Sequence, residues 1–237
     1  PLATKDDVKF NYTTKYKKYY NRISKIINDN NLRVDFHPDQ FCVLNSTNKD
    51  VVKNSIDILD YHYKLLNMMK IKDKVLIFHV GSNVLGKNNS IKRFVNNFNK
   101  LPDYLKKCIV IEKDDKVFNV SDTLKISDMI NVPIVLDYHH YKCNKSDIDI
   151  KKIFNTWNIK PKLHFSSPKS KKNFRSHSDY INSDDFIEFI EFIKKYNTDV
   201  DIMLETKMKD EALFRLVREL KYKTNYRFID DTTIEIK

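Results

Sequence analysis

Eight residues spread along the chain are of the types that hold divalent metal ions through nitrogen and oxygen: His37, His79, Glu112, Asp137, His140, His164, His177 and Glu205. Imidazole and carboxylate together suit manganese, zinc or iron, and eight such groups exceed what one ion coordinates. Ions held close together can clamp the attacking and departing oxygens of an in-line phosphoryl displacement and activate water at neutral pH. The cysteines, Cys42, Cys108 and Cys143, form no CxxC pair. That argues against a sulfur-held structural zinc site and for a reducing compartment.

The elements that must position these groups show a recurring pattern. Short, apolar, largely β-branched runs span Leu32 to Phe36, Val75 to Phe78, Ile109 to Ile111, Pro133 to Leu136, Lys162 to Phe165 and Ile202 to Leu204. Each ends at or beside a polar residue: His37, His79, Glu112, Asp137, His164 or Glu205. Helical spacing follows in between, as in Ile56, Leu59, Tyr63 and Leu66, in Phe186 to Ile193, and in Leu213, Leu216 and Leu220. Strand then helix, repeated, predicts an α/β fold with a parallel sheet. An open sheet would gather its site at one switch point, whereas a closed barrel collects residues from every strand end around one mouth. The pattern therefore predicts a TIM-type (β/α) barrel of about six βα units, with two more units expected before Pro1. No linker or second domain is visible, so residues 1–237 are expected to form one catalytic barrel domain, incomplete at its N-terminus.

At 237 residues the chain is long enough for a substantial core. With 32% charged and 12% aromatic residues it matches neither a disordered tail nor a membrane protein. No signal peptide is visible in the opening Pro-Leu-Ala-Thr and the charged residues after it. The net charge of +11 suits a nucleic-acid partner, although the abundance of Lys, Asn and Ile is equally explained by an AT-rich genome. Gly81 and Gly86 are the only glycines, which leaves no room for a glycine-rich phosphate cradle.

Taken alone, a histidine at a strand end is more often a cap or core residue than a ligand. Five of the seven histidines at or just beyond strand ends, beside three carboxylates at equivalent positions, are harder to ascribe to chance. Lys162 and His164 are two apart on a strand and so share a face, here the barrel interior. An inward Lys there calls for neutralisation, by Glu112 or Glu205, or for modification. Asp137-Tyr-His-His-Tyr141 offers a carboxylate and two imidazoles where its strand ends. His62, mid-helix, is expected on the surface. In His37-Pro-Asp-Gln-Phe41, Gln40 and Phe41 are suited to probing a duplex by hydrogen bonding and stacking, or else Phe41 folds back onto the core. Lys169, Lys171, Lys172 and Arg175 form a basic rim suited to phosphate contacts, or simply a solvated face.

Together, His37-Pro-Asp-Gln-Phe, Phe78-His-Val-Gly, Ile111-Glu-Lys-Asp-Asp, Asp137-Tyr-His-His, Pro161-Lys-Leu-His-Phe-Ser-Ser-Pro-Lys-Ser, His177-Ser-Asp-Tyr and Met203-Leu-Glu-Thr-Lys resemble the UV damage endonuclease family. The motifs follow that family's order along the whole chain, and the opening Pro-Leu-Ala-Thr resembles the family just after its second barrel strand. The resemblance implies a barrel related to endonuclease IV, with up to three divalent ions. Manganese is the first expectation, with zinc or magnesium as alternatives. It implies the eight ligands named above and makes Lys162 a ninth member, as a carboxylated lysine facing the metals. Lys162, Glu112 and Glu205 are the implied catalytic residues. Gln40, Phe41, Lys169 and Arg175 are the expected DNA contacts. The implied reaction is cleavage of the phosphodiester immediately 5′ of a UV photoproduct by metal-activated water, leaving a 3′-hydroxyl and a 5′-phosphate.

Two substitutions depart from the family pattern. Phe41 stands where some members have Tyr, which keeps stacking and loses a hydroxyl. Lys113 follows Glu112 where Asn is usual, putting a positive charge beside the metals, or a phosphate contact if its side chain turns outward. The resemblance implies two further N-terminal units, with an aromatic and polar pair that helps to read the lesion, before Pro1, and a barrel short of two strands is expected to expose its edges. The expected partner is damaged double-stranded DNA, bound by a monomer with no membrane involvement. The expected location is cytoplasmic and nucleoid-associated in a bacterium, and nuclear or virion-associated in another source. Alternatives are an abasic-site endonuclease of the endonuclease IV type, a sugar isomerase on the same scaffold, and an inactive DNA-binding remnant.

Overall fold

Runs of apolar residues too short for a buried helix become parallel strands when both faces are covered, and four-residue runs of that kind frame this protein. The computed structural model describes residues 5, 8, 10–147 and 149–236; the opening Pro-Leu-Ala-Thr stretch lies outside them. In chain order the elements are α1 (Tyr12–Lys15), α2 (Lys17–Asp29), α3 (Lys49–Met68), β1 (Leu76–His79), α4 (Lys87–Asn99), α5 (Asp103–Lys106), β2 (Ile109–Glu112), α6 (Val120–Ile130) and β3 (Ile134–Asp137). There follow α7 (Tyr138–Cys143), α8 (Ile150–Phe154), β4 (Lys162–Phe165), α9 (Ser183–Lys194), β5 (Asp201–Leu204), α10 (Lys209–Lys223), β6 (Arg227–Phe228) and β7 (Ile234–Glu235). No described helix is long and apolar enough to cross a membrane.

The chain groups into two compact units. The first runs to Glu112 and includes Asp122–Ile134. In it β1 pairs with β2 in parallel, register Leu76↔Ile109 through His79↔Glu112, and Ile111 N–H donates to Pro133 O at the start of β3. Leu76, Ile77, Phe78, Ile109, Val110 and Ile111 are all buried, as strands covered on both faces require. Leu32 to Phe36, expected as a full strand, is reduced to one parallel bridge, Phe36↔Leu76. Phe36 N–H donates to Val75 O and Phe36 O accepts from Ile77 N–H. Leu32 is half exposed, and no ladder forms before Phe36. Helix α3 starts where the Asn48 side chain accepts from Asp50 N–H, and it buries Leu59 and Leu66. His62 is half-buried rather than on the surface. Its ring lies 5.2 Å from that of Phe36, its Nδ1 is 2.9 Å from Ile58 O, and burial pushes its pKa down.

The second unit comprises Lys113–Ser121 and Val135–Lys237. There β3 pairs with β4 (Leu136↔Leu163, Asp137↔His164), and β4 with β5 (Lys162↔Asp201 through Phe165↔Leu204), all parallel. Helix α9 is started by the Asn182 side chain, which accepts from both Asp184 and Asp185 N–H. It buries Phe186, Phe189, Ile190 and Ile193, and Phe165 meets Phe189 at 4.9 Å between ring centroids. Each such side chain contributes about 1.5–3 kcal/mol by leaving water. The antiparallel pair β6–β7, closed by Asp230 accepting from Thr232 and Thr233 N–H, had no counterpart in the sequence pattern.

Candidate metal centre

Register explains how the first unit builds its own histidine–carboxylate cluster. His79 and Glu112 are parallel-strand partners, so their side chains leave the sheet at one level on adjacent strands, about 4.8 Å apart. The Glu112 carboxylate is fully buried, and its Oε2 lies 2.8 Å from His37 Nε2 and 3.8 Å from His79 Nε2. The rings of His37 and His79 sit 5.5 Å apart. Donor atoms bound to one ion at about 2.0–2.2 Å stand about 3 Å from one another, so the His37–Glu112 pair has ligand spacing while His79 stands farther out. His37 Nδ1, 2.9 Å from Pro38 O, is held from behind, which fixes the nitrogen offered to the site.

In the second unit Asp137 and His164 are register partners by the same logic. Asp137 also starts α7: its Oδ1 accepts from His140 N–H at 2.5 Å, while Oδ2 is buried with no hydrogen-bond partner among the described residues. A buried carboxylate oxygen left without a donor is costly, and a cation is the partner that suits it. His140 Nδ1 lies 3.9 Å from Asp137 Oδ1 and 3.2 Å from Lys113 O. Glu205, just past β5, divides its oxygens: Oε1 is 2.8 Å from His164 Nδ1 and Oε2 is 3.5 Å from His177 Nδ1. Its N–H donates to Phe165 O, extending the ladder by one residue and fixing the carboxylate at the strand end. Lys162 and His164 are both buried on β4, a strand buried along its whole length.

His177 sits on a loop closed by the bridge Pro168↔His177 and by Lys169 N–H donating to Ser176 O. The residue that positions this loop, His139, was seen in the sequence only as one of two imidazoles. It is fully buried, with Nε2 3.3 Å from Arg175 O and its ring 5.2 Å from His177 and 5.6 Å from Phe174. Burial lowers its pKa. The signal for it was the His-His doublet itself: neighbours on a helix point about 100° apart, so only one can share the face of Asp137.

The expected DNA contacts divide. Gln40 is exposed and Phe41 is 75% exposed, so Phe41 does not fold back onto the core. The flanking backbone is fixed: Phe41 N–H donates to Asp39 Oδ1, Cys42 N–H to Asp39 O, and Val43 N–H to Ser55 Oγ, with Cys42 and Leu44 buried. Lys169, Lys171 and Lys172 are exposed, and Arg175 is partly engaged by Asp115 at 3.7 Å. Lys113 is fully buried with Nζ donating to Asp114 O, so the outward phosphate contact is not formed. Gly81, after β1, has φ +109°, and a Cβ there would collide with Asn45 Oδ1 and meet Val43 Cβ at 2.9 Å. Gly81→Ala is expected to cost about 2–4 kcal/mol in denaturant unfolding. A change within measurement error would contradict this packing.

Residues 1–236 match the family described as UV-endonuclease UvdE. A UV DNA damage endonuclease of Bacillus cereus (strain G9842) is 41% identical over 228 residues, covering 93% of this chain and 72% of that protein. The crystal structure of SacUVDE is similar at TM-score 0.84 and 35% identity, over 94% of this chain and 76% of that one. Endonuclease IV from Thermus thermophilus shares the fold at TM-score 0.61 and 11% identity, over 90% of this chain and 82% of that one. The α/β fold of TIM-barrel type expected from the strand-end pattern is the fold of these solved relatives.

Proposed function

This chain belongs to the UV-endonuclease UvdE family, and from that premise we propose that it is a DNA-repair endonuclease that cuts UV-damaged duplex DNA. The observation that carries the reading is the coincidence of a family match over residues 1–236 with carboxylate–histidine clusters at strand ends in both units. The eight predicted ligands, with His37, His79 and Glu112 in the first unit and the other five in the second, serve to hold up to three divalent ions, manganese first. Such ions supply a water activated at neutral pH and stabilise charge on the phosphate in flight. Glu112 and Glu205 hold and orient their histidines, and Asp137 turns its uncapped oxygen to the same task. Lys162, as a carboxylated side chain, completes the ligand set. Gln40 and Phe41 probe the lesion, and Lys169 and Arg175 contact the backbone. Cleavage falls immediately 5′ of the photoproduct and leaves a 3′-hydroxyl and a 5′-phosphate.

The test is nicking of supercoiled plasmid in the presence of manganese. Relaxed circles are expected to accumulate with UV dose while unirradiated plasmid stays closed. Cleavage of abasic plasmid with none of irradiated plasmid would favour the abasic-site alternative and overturn this reading.

A further inference from the structure

The turn after β1 carries a feature that neither the metal ligands nor the core explains. Leu85 has φ +63° and is 72% exposed, beside Val84 at 48%. A branched aliphatic residue in the left-handed region is strained, and one held in water returns nothing to the fold. Asn or Gly would occupy the position with less strain.

The turn is nevertheless held rigidly. Arg93 donates from Nη2 to Val84 O and from Nε to Asn45 O at 2.8 Å, Ser90 Oγ donates to Val84 O, and Asn89 Nδ2 donates to Leu85 O. Asn45, fully buried, exchanges hydrogen bonds with Ser82, Nδ2 to Ser82 O at 2.7 Å and Ser82 N–H to Oδ1 at 3.0 Å. These bonds lace the Val84–Leu85 turn to the loop that bears Phe41. The two loops begin at His37 and His79, both within 4 Å of the same Glu112 oxygen. On the endonuclease reading, a backbone phosphate at those residues would place the adjoining bases near the laced loops.

Resting on the endonuclease reading, we infer that Val84–Leu85 is a second apolar wedge, which enters the base stack of the damaged duplex alongside Phe41. Apolar side chains inserted between base steps are how proteins kink DNA and open it beside a target. A two-residue tip is far too small to dock a protein, which needs about 800 Å² per partner, but it matches the gap between unstacked bases.

The experiment compares wild type with Leu85→Asn, Leu85→Gly and Leu85→Met, each measured for thermal melting and for nicking of UV-irradiated plasmid at sub-saturating enzyme. Asn and Gly are expected to melt at or above the wild-type temperature yet nick roughly tenfold more slowly, the loss that follows from one unburied leucine. Met is expected to keep most of the activity. Asn and Gly variants as active as wild type would overturn the inference, as would slower nicking that tracks a fall in melting temperature. A wild type that does not nick irradiated plasmid would instead overturn the function on which it rests.

Discussion

Replacing Glu112 with Gln is expected to slow nicking of UV-irradiated DNA about a thousandfold while leaving the fold intact. Gln has the same shape, so Glu112→Gln changes little in the packing around a fully buried side chain. It removes the negative charge that His37 and His79 both face, at 2.8 and 3.8 Å from the same oxygen. A ligand set stripped of its one buried charge binds a divalent ion less tightly and stabilises less of the transition-state charge. Losing about 4 kcal/mol of that stabilisation corresponds to about a thousandfold in rate. Single-turnover nicking, with bound metal measured on the same preparation, checks it. Glu205→Gln should behave alike, because Glu205 holds both His164 and His177. Near-normal nicking by either variant would remove these carboxylates from the machinery.

Stripping divalent ions is the second large effect. Chelation is expected to abolish nicking and to lower the melting temperature, and added manganese to restore both. The destabilisation follows from a buried oxygen. Asp137 is fully buried, and its Oδ2 has no donor among the described residues, so a cation is the partner that offsets its desolvation. An ion at a hundred times its dissociation constant stabilises the folded state by about 2.7 kcal/mol, or roughly 5–10 °C for a chain of this length. Differential scanning fluorimetry with and without chelator measures the shift. Unchanged melting together with metal-free nicking would contradict the assignment of these residues as ligands.

Much of this was legible in the sequence because parallel strands carry a double signature: apolar throughout, then abruptly polar at the end that bears the site. That signature located β1 to β5 and picked out candidate ligands at or beside strand ends or in α7, while His177 was reached through the motif order. Leu32 to Phe36 pairs only at Phe36: Arg33 and Asp35 interrupt its apolar run, and ladder formation also depends on a neighbour's register, which local composition does not encode. The dual use of Asp137, one oxygen capping α7 and the other left for an ion, needs coordinates to see. The same holds for His139, whose packing against His177 depends on how the 168–178 loop folds back. Lys113 reads in the sequence as a charge beside the metals or an outward phosphate contact; its burial comes from tertiary packing that overrides the preference of Lys for water. The strained Leu85 gave no sequence signal at all, since backbone φ is a property of the folded turn.

The most direct measurement uses a duplex with a single UV photoproduct at a known position, labelled at the 5′ end of the damaged strand. With manganese present, the labelled product is expected to end immediately 5′ of the photoproduct and to be extended by a polymerase, which requires a 3′-hydroxyl. A product ending elsewhere or not extendable would contradict the account, and so would cleavage confined to an abasic duplex.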